Sequence, residues 1–161
     1  MSAFKNMTDS QRKKIIEMLS TSYTMEIETI INYMANAEYL DGIRAKHIKD
    51  NLAVEVQDEM GHAQQLAARI KVLEGRIPGS LDMSFSQKAL QPPANSLDVK
   101  AIIKGVIEAE QGAIDQYQKI IEATDGIDPV TQDMCIALKG DEEGHRRLFR
   151  GFLAEAEQMS F

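Results

Sequence analysis

Asp58-Glu59-Met60-Gly61-His62 and Asp141-Glu142-Glu143-Gly144-His145 are near-copies of one pentapeptide, and their reading decides the fold. Each sets a glutamate and a histidine three residues apart, about one turn from each other on a single helical face. Each is preceded at almost equal distance by another acid in an apolar stretch: Glu26 lies 33 residues before Glu59, and Glu110 lies 32 before Glu142. Four helices bearing four glutamates and two histidines in this arrangement are the ingredients of a dinuclear metal site inside a helix bundle.

Outward from the pentapeptides the periodicity is helical throughout, so the chain reads as all-α and as one domain over residues 1–161. Helix one spans about 8–40, opened by Thr8 and Gln11 in a capping box and stopped by Asp41-Gly42. Helix two spans about 43–74 and ends at Gly75. Residues 75–96, with Pro78, Gly79, Pro92 and Pro93, cannot be one helix, although Ser84 to Leu90 fits a short one. Those 22 residues reach at most about 75 Å, enough to travel the whole length of a helix of about 48 Å. Helix three spans about 96–123, and helix four about 129–158, with Asp128 as N-cap and Pro129 at the first helical position. The order is hairpin, long crossover, hairpin.

Height along the bundle can be counted. Glu26 is 16 residues before Gly42 and Glu59 is 17 after it; Glu110 is 16 before Gly126 and Glu142 is 16 after. In antiparallel hairpins these equal arms of about 24 Å bring each pair of acids to one level. Rotation can be counted too. Leu19, Tyr23, Ile30 and Tyr33 frame Glu26, and Ile103, Ile107, Ile114 and Tyr117 frame Glu110, so both acids lie inside apolar stripes. Glu28 and Glu108 fall about 200° away and are expected in solvent.

Four converging carboxylates need compensating charge, because a lone buried carboxylate protonates instead. Two divalent cations supply it, with neutral imidazoles completing the ligand sets. Carboxylate with imidazole suits iron, manganese or zinc better than calcium, which takes oxygen ligands. Asp58 and Asp141, each four residues before a histidine, are candidates to orient the rings. Their other reading is as surface aspartates.

Composition narrows the class. A net charge of −7 argues against a protein that coats nucleic acid. No apolar run is long enough to span a membrane, and charges stand where a signal peptide would place its apolar core. The single cysteine, Cys135, forms no intrachain disulfide, and a reducing, cytoplasmic setting is expected. It lies on the inner stripe seven residues before Glu142 and reads as a small buried apolar residue. No CxxC pair encodes a rubredoxin centre or a redox dithiol.

The chain resembles the ferritin-like di-iron carboxylate proteins, closest to bacterioferritin. The resemblance is carried by Glu26-x6-Tyr33, Asp58-Glu59-Met60-x-His62-Ala63, Leu73-Glu74-Gly75 and Asp141-Glu142-Glu143-Gly144-His145. It implies a ferritin-like four-helix bundle and two iron ions per subunit. Glu59 and Glu142 would bridge them, Glu26 and His62 complete one, and Glu110 and His145 the other. It also implies ferroxidase chemistry, in which Fe(II) is oxidised by O2 or H2O2 and stored in a shell of identical subunits. Tyr33 and Tyr117, seven residues after Glu26 and Glu110, would donate a hydrogen bond or an electron, or else serve as amphipathic core residues. Met60 occupies the position of the bacterioferritin haem ligand; its alternative is ordinary packing at a helix interface.

Two departures from bacterioferritin bear on assembly. Only 16 residues follow His145, too few for that family's fifth helix, and the connection between helices two and three is longer. Both features are similar to Dps-like miniferritins, so the implied homo-oligomer has 12 or 24 subunits. Two other functions stand beside iron storage: a rubrerythrin-like peroxidase that retains no iron, and a Dps-like DNA-protecting shell.

Overall fold

Thr8 and Gln11 close the start of α1 (Asp9–Tyr39) reciprocally: Thr8 N donates to Gln11 Oε1 at 2.8 Å, and Gln11 N donates to Thr8 Oγ1 at 3.2 Å. The structure is a computed structural model and describes residues 4–159. After the Gly42 turn (φ +94°), α2 runs Ala45–Val72. Its end differs from expectation. The left-handed residue is Glu74 (φ +63°), and Gly75 N donates to Ile70 O while Glu74 N donates to Lys71 O, a Schellman closure. Gly75 is required for room instead: a Cβ there would come within 2.8 Å of Ile16 and 2.9 Å of Ile70.

Asp98 caps α3 (Val99–Thr124) by accepting from Ala101 N at 3.0 Å. The turn at Gly126 (φ +66°) leads to Asp128, which caps α4 (Pro129–Gln158) by accepting from Thr131 N. Among the described residues all regular structure is helical: four long α-helices and one 3-10 turn at Ser80–Asp82. That turn corrects the expected short helix. Ser84–Leu90 holds none; two of its backbone groups bond to side chains of α1 instead. Gln87 N donates to Glu28 Oε1 at 2.6 Å, and Asn36 Nδ2 donates to Leu90 O at 2.7 Å.

Those contacts trace the crossover. It leaves Gly75 beside Ile16, passes Glu28, Thr29, Asn32 and Asn36 in turn, and reaches the far end of α1, where Asp41 N donates to Ser96 O at 2.9 Å. It therefore climbs the full length of α1, and α3 descends antiparallel to α1. Glu28 is buried under this segment, which corrects its expected exposure; Glu108 is exposed. At the opposite end Arg69 ties α2 to the start of α4, donating to Thr131 Oγ1 and to both Asp128 oxygens.

The apolar interior falls into two clusters. One, around Leu40, Ile48, Leu52, Ile103, Val106 and Phe149, fills the Gly42 end of the bundle. The other, around Ile15, Leu19, Leu66, Ile70, Ile120 and Leu138, fills the Gly126 end. Buried polar side chains occupy the level between them.

Gly105 sets how closely the crossover packs on α3. A Cβ there would strike the carbonyl oxygen of Ala89 and lie 3.0 Å from Leu90 Cα. Glycine to alanine in an open helix interior stabilises by about 1 kcal/mol. Here the sign is expected to reverse, with Gly105→Ala destabilising by about 1–3 kcal/mol through overpacking against backbone. Chemical denaturation checks this, and an unchanged or higher midpoint would contradict the packing described.

Candidate metal centre

The middle level holds Glu26 from α1, Glu59 and His62 from α2, Glu110 from α3, and Glu142 and His145 from α4. The four carboxylates are 0–2% exposed. Their donor atoms fall into two overlapping groups: Glu26, Glu59, His62 and Glu142, and Glu59, Glu110, Glu142 and His145, with atoms in each group within 4.8 Å of one another. Glu59 and Glu142 belong to both, and each divides its two oxygens between the halves. Glu142 turns Oε1 to His62 Nδ1 (3.0 Å) and Oε2 to His145 Nδ1 (3.2 Å). Glu59 turns Oε2 to His62 Nδ1 (3.2 Å) and Oε1 to His145 Nδ1 (3.7 Å). The two imidazoles lie nearly parallel, with ring centroids 6.2 Å apart.

Around this level each supporting group reaches across to another helix. Asp141 of α4 faces His62 Nε2 at 3.1 Å, and Asp58 of α2 faces His145 Nε2 at 3.5 Å. Each aspartate thus meets the histidine of the opposite pentapeptide. The tyrosines exchange partners likewise: Tyr33 OH donates to Glu110, and Tyr117 OH donates to Glu26. Together they link α1 and α3 twice.

Charge distribution follows from burial and these contacts. Burial, then Glu59 and Glu142, push the Glu26 carboxyl well above its ordinary range; burial and Glu142 do the same to Glu110. Burial would also raise Glu59, but His145 and His62 overcome it and hold Glu59 down to about 2. Glu142 is lowered by the same two imidazoles against its burial. Burial would lower His62, yet Glu142 and Glu59 raise it to about 10, and Glu142 with Glu55 raises His145 too. Without metal, then, two carboxylates are neutralised by two imidazolium ions and two more keep their protons. Burial and the facing glutamates also raise both tyrosines, which stay protonated as donors.

The donor set fits two divalent cations. Glu142 Oε2 and His145 Nδ1 are buried without a well-formed hydrogen bond, and a cation would satisfy both. Mixed carboxylate and imidazole donors suit iron, manganese or zinc. Met60 stands outside the cluster, 42% exposed, on a cavity of about 180 Å³ lined also by Tyr23, Ile27, Ile30 and Ala63. Cys135 is fully buried, its thiol pushed up to about 12 by burial and by Asp128.

Glu55 escaped the sequence reading. It is buried, and its Oε2 lies 2.9 Å from His145 Nδ1. Its signal was its place four residues before Glu59, on the same helical face.

Comparisons with known proteins agree with this geometry. The profile of the ferritin family, described as a ferritin-like domain, matches residues 16–159. A DNA protection during starvation protein from Pyrococcus furiosus is 26% identical over 145 residues, covering 88% of this chain and 77% of its own. A bacterioferritin from Desulfovibrio desulfuricans is 34% identical over 67 residues, 42% of this chain and 37% of its own. A crystal structure of ferritin-like, diiron-carboxylate proteins from Bacillus anthracis superposes with a TM-score of 0.80 at 26% identity, covering 91% of this chain and 99% of that one.

The protonation pattern gives a sign for pH dependence. Two divalent cations entering at pH 7 must displace the carboxyl protons of Glu26 and Glu110 and the imidazolium protons of His62 and His145. Binding is therefore expected to release up to four protons per chain, and affinity to rise with pH while pH stays below His62's value of about 10. Calorimetric titration with Zn(II) in two buffers of different ionisation enthalpy measures the release; identical heats in both would contradict it. Glu26→Gln, which keeps an acceptor for Tyr117 and removes a carboxyl whose ionisation burial and its neighbours oppose, is expected to stabilise the metal-free protein at pH 7 and to weaken Zn(II) binding. Thermal unfolding with and without Zn(II) checks both.

Proposed function

The chain belongs to the ferritin family, and we propose that within it this protein is a ferroxidase that oxidises Fe(II) for storage inside a shell of identical subunits. The observation that carries this reading is the division of labour in Glu59 and Glu142, each presenting one oxygen to each half of the centre. Two carboxylates so disposed hold a pair of cations side by side, a geometry that single-metal enzymes do not need. Glu26 with His62 closes one half and Glu110 with His145 the other.

Two bound Fe(II) supply one electron each, so O2 becomes H2O2, or H2O2 becomes two waters, with two protons consumed. Every other contribution comes from the chain. Four carboxylates stabilise the Fe(III) product more than the Fe(II) substrate, since attraction grows with charge in a poorly solvated interior. Tyr33 and Tyr117 fix the oxygens of Glu110 and Glu26 that they bond, which keeps the outer ligands oriented. Exposed Asp58 and Asp141 put negative charge where the site meets solvent and draw Fe(II) toward His145 and His62. Apolar clusters pack above and below this level.

The name of the Pyrococcus furiosus relative refers to DNA protection. Removing Fe(II) together with an oxidant protects DNA without touching it, and a net charge of −7 disfavours direct phosphate binding. A peroxidase that oxidises iron without retaining it is the second reading; the protein's mass in solution and its retained iron separate the two.

Replacing both Glu59 and Glu142 by Ala is expected to lower the initial rate of Fe(II) oxidation in air by at least about 100-fold, since each half loses two of its four donor residues. Absorbance of the ferric product against time measures it, with circular dichroism confirming the helices. An undiminished rate would reject the assignment.

A further inference from the structure

We infer that the Gly42 end of the bundle carries a binding site for an aliphatic monocarboxylate, its chain in an apolar cavity and its carboxylate between Arg44 and Lys100. The site is separate from the metal level: none of the six metal-site residues borders it.

The cavity, of about 470 Å³, opens where the starts of α2 and α3 meet the end of α4. That volume lies within the range of small-molecule sites. Ile48, Ile103 and Ala156 line it as buried side chains, with Phe152 half-buried beside them. The His47 ring meets Phe152 edge-on, with centroids 5.2 Å apart. Leu97 and Met159 border the same space at 61% and 49% exposure. Apolar surface of this extent left to water is unfavourable, and a hydrocarbon chain seated there would remove it.

Charge chooses the head group. Arg44, Lys46, His47 and Lys49 crowd the start of α2 before any acid appears. Cations at a helix N-terminus oppose its dipole, so helix stability does not account for them. The fold accounts for two: Lys46 pairs with Asp50 at 2.8 Å, and Lys49 donates to Leu40 O at 3.1 Å. Arg44 and His47 instead border the cavity, with Lys100 of α3. Lys100 makes no ion pair among the described residues. Of the two acids on the lining, Asp98 commits its carboxylate to Ala101 N as the cap of α3, at 3.0 Å. Glu155 offsets one of the positive charges of Arg44 and Lys100, and the other is left for a ligand. One negative charge on an apolar body fits; a phosphate or a dicarboxylate would bring more.

Isothermal titration of octanoate into full-length metal-free protein at pH 7 tests this, with 1-octanol as the uncharged probe. Octanoate is expected to bind at one site per chain, and 1-octanol at least about 10-fold more weakly. Lys100→Gln is expected to weaken octanoate about 10-fold. Leu97→Asp, which sets a negative charge on an exposed wall, is expected to weaken it at least as much. Circular dichroism and sedimentation accompany each variant. No binding to wild type, equal binding of 1-octanol, or undiminished binding to both variants would overturn the site. A lower mass in solution for Leu97→Asp would assign the cavity to a second copy of the chain and overturn the ligand reading as well.

Discussion

Four carboxylates buried at one level of an apolar bundle are the constraint on which the rest of the structure depends. Each would be costly alone, and together they repel. Metal-free, the protein meets the problem with protons: Glu26 and Glu110 hold theirs, while His62 and His145 become cations beside Glu59 and Glu142. Metal ions would replace those protons charge for charge. The apolar clusters on either side keep the bundle folded while its middle exchanges one set of positive charges for another.

Much of this arrangement is legible in the chain. Turn glycines at 42 and 126 fix the hairpins, equal arms fix the height of the acids, and the apolar stripes fix their rotation. What spacing cannot give is the partner across an interface. Asp58 and Asp141 share a helix with one histidine and face the other; Tyr33 and Tyr117 likewise cross between α1 and α3. Glu28 illustrates the same limit, since its burial comes from a crossover whose path is tertiary. At the end of α2, Glu74 and Gly75 exchange the roles that local rules assign, because Ile16 and Ile70 leave no room for a side chain at 75.

The two halves are near-symmetric in their chemistry and unlike in their surroundings. Duplicated glutamates, histidines, aspartates and tyrosines build a centre with equivalent ends, which suits two ions that each give up one electron. Glu55 opposite Leu138 breaks that equivalence, adding a buried carboxylate beside His145 that His62 does not have at the matching place.

Anomalous X-ray diffraction from crystals equilibrated with Fe(II) without oxygen tests the central claim most directly. Two iron peaks about 3.5–4 Å apart are expected, each held by one histidine and both bridged by Glu59 and Glu142. Iron bound only at surface carboxylates, with the six buried side chains left without metal, would contradict it.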